Sequence, residues 1–140
     1  MANPGPASTT TNHPTPLATN QALRLIASAQ GVNLNQVADT VATVLSSGRV
    51  SVQSIIVTNA SIDLTTAQLA VYTGAGATGT AIKTAYALTG NTTAAKVVVT
   101  AATSTDAVTG TPLYIRNTTA QGAAATADVF IYGYDLSFLP

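Results

Sequence analysis

The 140-residue chain has no cysteine and no tryptophan, and only one methionine and one histidine. Glutamate is absent as well, so the five acidic residues are all aspartate, and charged residues make up only 7% of the sequence. Without thiols there is neither a disulfide framework nor a thiolate metal site, and cysteine usage carries no information on redox compartment. Stability must come from packing. Soluble domains usually keep about a quarter of their residues charged, which holds copies apart; this chain does not.

The formal net charge is zero. Arg24, Arg49, Lys83, Lys96 and Arg116 are scattered among Asp39, Asp63, Asp106, Asp128 and Asp135. No basic patch exists to displace counterions from nucleic acid or to meet anionic lipid, so neither partner is expected. No apolar run approaches the ~20 residues of a membrane-spanning helix. The opening Met-Ala-Asn-Pro-Gly-Pro lacks a basic segment followed by an apolar one, so it does not read as a secretory signal. The Asn-x-Ser/Thr triplets at Asn59, Asn91 and Asn117 are accordingly expected to be turn residues rather than glycan acceptors.

Ala and Thr fill much of the space left, together roughly a third of the chain. Residues 2–20 carry Pro4, Pro6, Pro14 and Pro16 among Ser, Thr, Asn and Gly. Such a mixture buries too little apolar surface to offset ordering entropy, which predicts an extended arm over residues 1–21. From residue 22 onward, short apolar runs rich in β-branched residues alternate with turn signals. Strands are expected at 22–27, 40–45, 49–58, 67–73, 81–88, 96–101, 112–116 and 128–134, with Leu23, Ile26 and Ala27 also compatible with a helical face. Val41, Thr43 and Leu45 should share one face, as should Ile82, Thr84, Tyr86 and Leu88. In the last strand Phe130, Tyr132 and Tyr134 fall on one side and Val129 and Ile131 on the other. A strand apolar on both faces lies between layers or at an interface. Ser46-Ser47-Gly48 is expected to form a tight hairpin, and Gly90-Asn91 and Thr109-Gly110 to mark later turns. The expectation is an all-β fold: an antiparallel sandwich or jelly roll over residues 22–140, preceded by the arm.

Few residues invite catalytic chemistry. Gly74-Ala75-Gly76-Ala77-Thr78-Gly79 has dinucleotide-binding spacing, but the period-two pattern after it and the missing acidic residue about twenty positions on point to a Gly-rich hairpin loop. His13, the sole candidate for a Ser-His-Asp base, lies in the Pro/Thr arm. No two of the aspartates are close enough in sequence for a compact calcium loop, although distant loops could still combine, and no pair reads as glycosidase acids, so carboxylates exposed at strand ends are expected. The five tyrosines lack the basic interleaving of a nucleic-acid platform and are read as core and interface residues. No catalytic, cofactor or metal residue is expected, and no enzyme.

Three stretches carry a resemblance: Ser54-Ile-Ile-Val-Thr-Asn-Ala-Ser-Ile-Asp-Leu-Thr-Thr-Ala67; Val71-Tyr-Thr-Gly74 with Gly79-Thr-Ala-Ile82; and the run from Leu113-Tyr-Ile-Arg-Asn through Asp128-Val-Phe-Ile-Tyr-Gly-Tyr-Asp-Leu-Ser137. Over about residues 48–137 the chain resembles small β-rich structural proteins of tailed bacteriophages, of the capsid-decoration or head-accessory kind. The resemblance implies a sandwich or jelly-roll fold and a virion location, with synthesis in the bacterial host cytoplasm, and offers no active-site residues. Combined with the low charge, it leads to the expectation of a homo-oligomer cementing the capsid by packing on the major capsid protein and on copies of itself. Pro4, Pro6, Pro14, Pro16, Leu17, Tyr132 and Tyr134 are the expected inter-subunit contacts. A tail or head-fibre module adsorbing to host glycan is the alternative.

Overall fold

The computed structural model describes residues 23–45, 48–94, 97–109 and 112–137. Among the described residues nine strands form: β1 (Arg24–Asn33), β2 (Asp39–Val44), β3 (Arg49–Thr58), β4 (Gln68–Gly74), β5 (Thr78–Ala87), β6 (Val98–Ala101), β7 (Val108–Thr109), β8 (Leu113–Thr119) and β9 (Thr126–Asp135). Each of the eight runs expected from the sequence contains a strand among its described residues, and the segment compatible with a helical face lies in the strand β1. Only β7, two residues long, has no counterpart among the expected runs.

Every pairing is antiparallel, and the strands follow the order β5-β4-β8-β2-β1-β9-β3-β6, with β7 beside β3. The pairs β1·β9, β2·β8, β3·β6 and β4·β5 are those of one long ribbon doubled back at the β4–β5 turn. Rolling that ribbon brings β9 against β3 and β8 against β4. The result is a jelly roll: a front sheet β1-β9-β3-β6 and a back sheet β2-β8-β4-β5. The sheets join where β2 pairs with both β8 and β1. On the opposite side they nearly meet, because Thr103 and Ser104, just past β6, donate their N–H groups to Ile82 O on β5 at 2.8 and 3.1 Å. Near-closure leaves few unpaired strand edges.

The core lies between the sheets. Ile26, Ile55, Val57, Val129 and Ile131 enter from the front, and Leu69, Val71, Ile82, Leu113 and Ile115 from the back, all buried. Burying each such side chain is worth about 1.5–3 kcal/mol. Alternation is strict in β8 and β9, where every second residue is buried. It breaks where strands carry an extra residue. Ile26 is the unmatched residue between Leu25 and Ala27 opposite β9, so Ile26 and Ala27 are both buried. The β4–β5 ladder also shifts register between Leu69 and Gly74, which leaves Thr84 exposed although Ile82 and Leu88 are buried.

Three local expectations need correction. The Ser46–Gly48 segment does not close a hairpin, because β2 and β3 do not pair: β9 occupies the position beside β3, and the connection passes between separate parts of the roll. Residues 46–47, like Gly110, lie outside the described residues. Asn117 is not a turn residue but sits fully buried inside β8, its side-chain N–H group donating to Leu34 O at 2.9 Å and Gln36 O at 2.8 Å. Asn59 does fit a turn, with φ 53° just past β3. Asp135 is not an exposed strand-end carboxylate: it is buried, 3.5 Å from the Arg24 guanidinium, and accepts from the Ser137 N–H and hydroxyl.

Candidate interaction face

Residues 74–79, with dinucleotide-binding spacing, form the β4–β5 turn. Gly76 and Ala77 have φ of 68° and 66°, the pair of left-handed residues typical of a tight hairpin turn, and no helix of useful length follows. The Gly76 N–H donates to Asp39 Oδ2 at 2.6 Å, and Arg116 Nη1 donates to Asp39 Oδ1 at 2.9 Å. The hairpin tip is therefore clasped to β2 and β8. Burial pushes the Asp39 pKa up, but the Gly76 and Arg116 hydrogen bonds and the guanidinium charge outweigh it, so the net value lies below the ordinary 3.8. A lowered folded pKa means a stabilisation complete above the unfolded value and lost as pH falls through the folded one. Urea unfolding measured between about pH 2 and 5 should show this acid-labile component in the native chain and not in Asp39→Asn.

Two further polar clusters are used internally. Gln121 Oε1 accepts the backbone N–H groups of Thr65, Thr66 and Ala67 at 3.2, 3.2 and 3.1 Å, fixing the β3–β4 loop. Asp128 accepts from the Gly31 N–H and the Asn59 side-chain amide, each at 2.8 Å. Tyr86 turns its ring toward the core, and burial raises its phenol pKa. Among the described residues no group of three or more His, Cys, Asp or Glu side chains could hold a metal, and no pocket opens.

What the fold does present is the outer side of the front sheet. Because Val129, Ile131 and Gly133 of β9 face inward, Phe130, Tyr132 and Tyr134 form a half-buried column on the outside. Cross-strand register extends that column into rows. One row runs Thr43, Ser28, Phe130, Ile56, Val99 across five strands. The next runs Leu25, Tyr132, Ser54, Ala101 across four. Val99 is 61% exposed, and beyond the first row Val41, on the outward face of β2, and Leu45, just past its end, are 58% and 56% exposed. Neither row contains a charged residue. Aromatic and aliphatic side chains interspersed with Ser and Thr, with Asp128 only at the end of the β9 column, have the composition of an interface centre rather than of a solvated surface.

Of the expected contact residues, Tyr132 and Tyr134 lie on this face, in neighbouring positions of one column. Pro4, Pro6, Pro14, Pro16 and Leu17 lie outside the described residues. Sequence reasoning does not single out Ile56, Val99 and Leu25 as part of the face. The signal is present in β3, where Ile55-Ile56-Val57 is apolar on both sides, but only the β3·β9 register places Ile56 beside Phe130. No protein-family model matches this chain, and no curated protein matches it.

Proposed function

We propose that the chain is a non-enzymatic virion subunit that decorates or cements the capsid of a tailed phage, packing on the major capsid protein lattice and on copies of itself. The observation that carries this reading is the pair of uncharged rows on the outer face of the front sheet, centred on Phe130 and Tyr132 with Tyr134 beside them. Apolar burial is non-directional and scales with area, so such a face associates with any complementary apolar surface, and zero net charge offers little repulsion between copies. The jelly roll is used by viral capsid domains but also by lectins and cupins, so the fold is compatible with the proposal without deciding it. The resemblance of residues 48–137 to phage decoration proteins gives the proposal its location.

Cementing on this reading comes from many small contacts: the sheet face supplies area, and the Pro-rich arm supplies a tether that raises the effective concentration of the next contact. Deleting residues 2–20 should release the protein from purified capsids while leaving the far-ultraviolet circular dichroism of the sandwich intact. Full occupancy of particles by the truncated chain, counted by mass spectrometry, would overturn the arm's part in the proposal.

A further inference from the structure

The outer face of the front sheet, extended by the adjoining β2, is five strands wide. At about 4.8 Å between strands it spans roughly 19 Å, and the β9 column from Asp128 to Tyr134 adds about 20 Å in the other direction. The projected area is thus about 400 Å², half of the roughly 800 Å² per partner that a stable rigid interface buries. Two copies pressed face to face would fall short. The first 22 residues of the chain precede the described domain, and this segment holds no Asp, Glu, Lys or Arg. Its Pro14-Thr15-Pro16-Leu17 sequence favours the polyproline conformation, which loses little entropy on binding and packs on aromatic-lined surfaces.

Where the arm joins the domain decides whose face it reaches. It enters at Leu23, 53% exposed, beside the start of β1, which pairs with Gly133 at the Tyr134 end of the column. To cover its own face, the chain would have to reverse sharply within residues 18–22. That stretch, Ala-Thr-Asn-Gln-Ala, has no Gly or Pro and offers Asn20 as its one turn former, so extension onto a neighbour is favoured over reversal. Extended as polyproline, 22 residues reach about 68 Å, well beyond the ~35 Å diameter expected of a domain of this size.

We infer that the outer face of the front sheet is the docking site for the Pro14–Leu17 segment of a neighbouring copy's arm, laid along Phe130, Tyr132 and Tyr134. This rests on the reading of the chain as a self-packing subunit. Each copy then gives one arm and receives one, a head-to-tail contact that propagates across a lattice or closes into a ring.

The absence of native cysteine makes a clean test available in the full-length protein. Pro16→Cys is combined with Ser54→Cys, which lies between Tyr132 and Ala101 on the face, or with Ala85→Cys, exposed on β5 of the back sheet. Under mild oxidation the Pro16/Ser54 pair should give disulfide-linked dimers and a ladder above them, at least about tenfold more than the Pro16/Ala85 pair, and Tyr132→Asp should suppress the ladder. Equal yields from the two pairs, or a cross-link confined to single chains, would overturn the inference. Sedimentation of the same samples separates the docking site from the self-packing it rests on. Concentration-dependent association without the Ser54 ladder removes the docking site alone, whereas a monomer at all concentrations removes the self-packing reading beneath it.

Discussion

Gly133→Ala should lower the stability of the fold by about 3 kcal/mol, at the upper end of the usual range for overpacking. Gly133 sits near the end of β9, facing the core and paired with Arg24 of β1 and Val52 of β3. A Cβ built there would lie 2.9 Å from the Ser51 carbonyl carbon and 2.9 Å from Val52 Cα. Both are backbone atoms of the adjoining strand, so no side-chain rotation relieves the contact. Both neighbours of β9 also carry an extra residue close to this point, Ile26 on β1 and Gln53 on β3, which increases the local twist and brings the chains close. Gly122→Ala provides the control. Gly122 has φ 82° and nothing within 4 Å of a prospective Cβ, so its replacement should cost only about 1 kcal/mol of backbone strain. Urea midpoints of the two variants check the difference: equal losses would show that close strand approach is not what holds glycine at 133.

Tyr132→Asp should weaken self-association at least about 100-fold, equivalent to about 2.7 kcal/mol, while lowering the stability of the subunit by only about 1 kcal/mol. Tyr132 points outward between Leu25 and Ser54, where a carboxylate meets water in the free subunit but would be buried unpaired in an assembly. The adjacent Ile131→Ala should do the reverse. Ile131 is fully buried, so truncation leaves a cavity worth about 2–5 kcal/mol while leaving the outer face unaltered. Sedimentation equilibrium and thermal unfolding on both variants read the two quantities separately. If Tyr132→Asp leaves association intact, the outer face of the front sheet is not the interface.

The opposite effects expected of residues 131 and 132 follow from period-two alternation, which is legible in the amino-acid sequence of β9. The strand runs, the two-sided apolar character of β9 and the scarcity of charge all follow from local composition. Together they specify an all-β chain whose last strand is apolar on both faces, because side-chain direction alternates along a strand without a bulge. The same logic marks Tyr132 and Tyr134 as contact candidates without showing what lies beside them.

Partner strands are set otherwise. Which strand lies against which is chosen by total burial and chain connectivity, over separations that a window of sequence does not contain. Hence the short Ser46–Gly48 link reads as a hairpin although β9, the last strand of the chain, takes the place beside β3. Asn117 reads as a turn residue because its two acceptors, Leu34 O and Gln36 O, come from the distant β1–β2 connection. Strand content, the facing of β9 and low charge were thus determined by the sequence alone. The rolled ribbon, the need for glycine at 133 and the joining of Leu25, Ile56 and Val99 to the aromatic column were decided only by tertiary structure, because each depends on contacts between segments far apart in the chain.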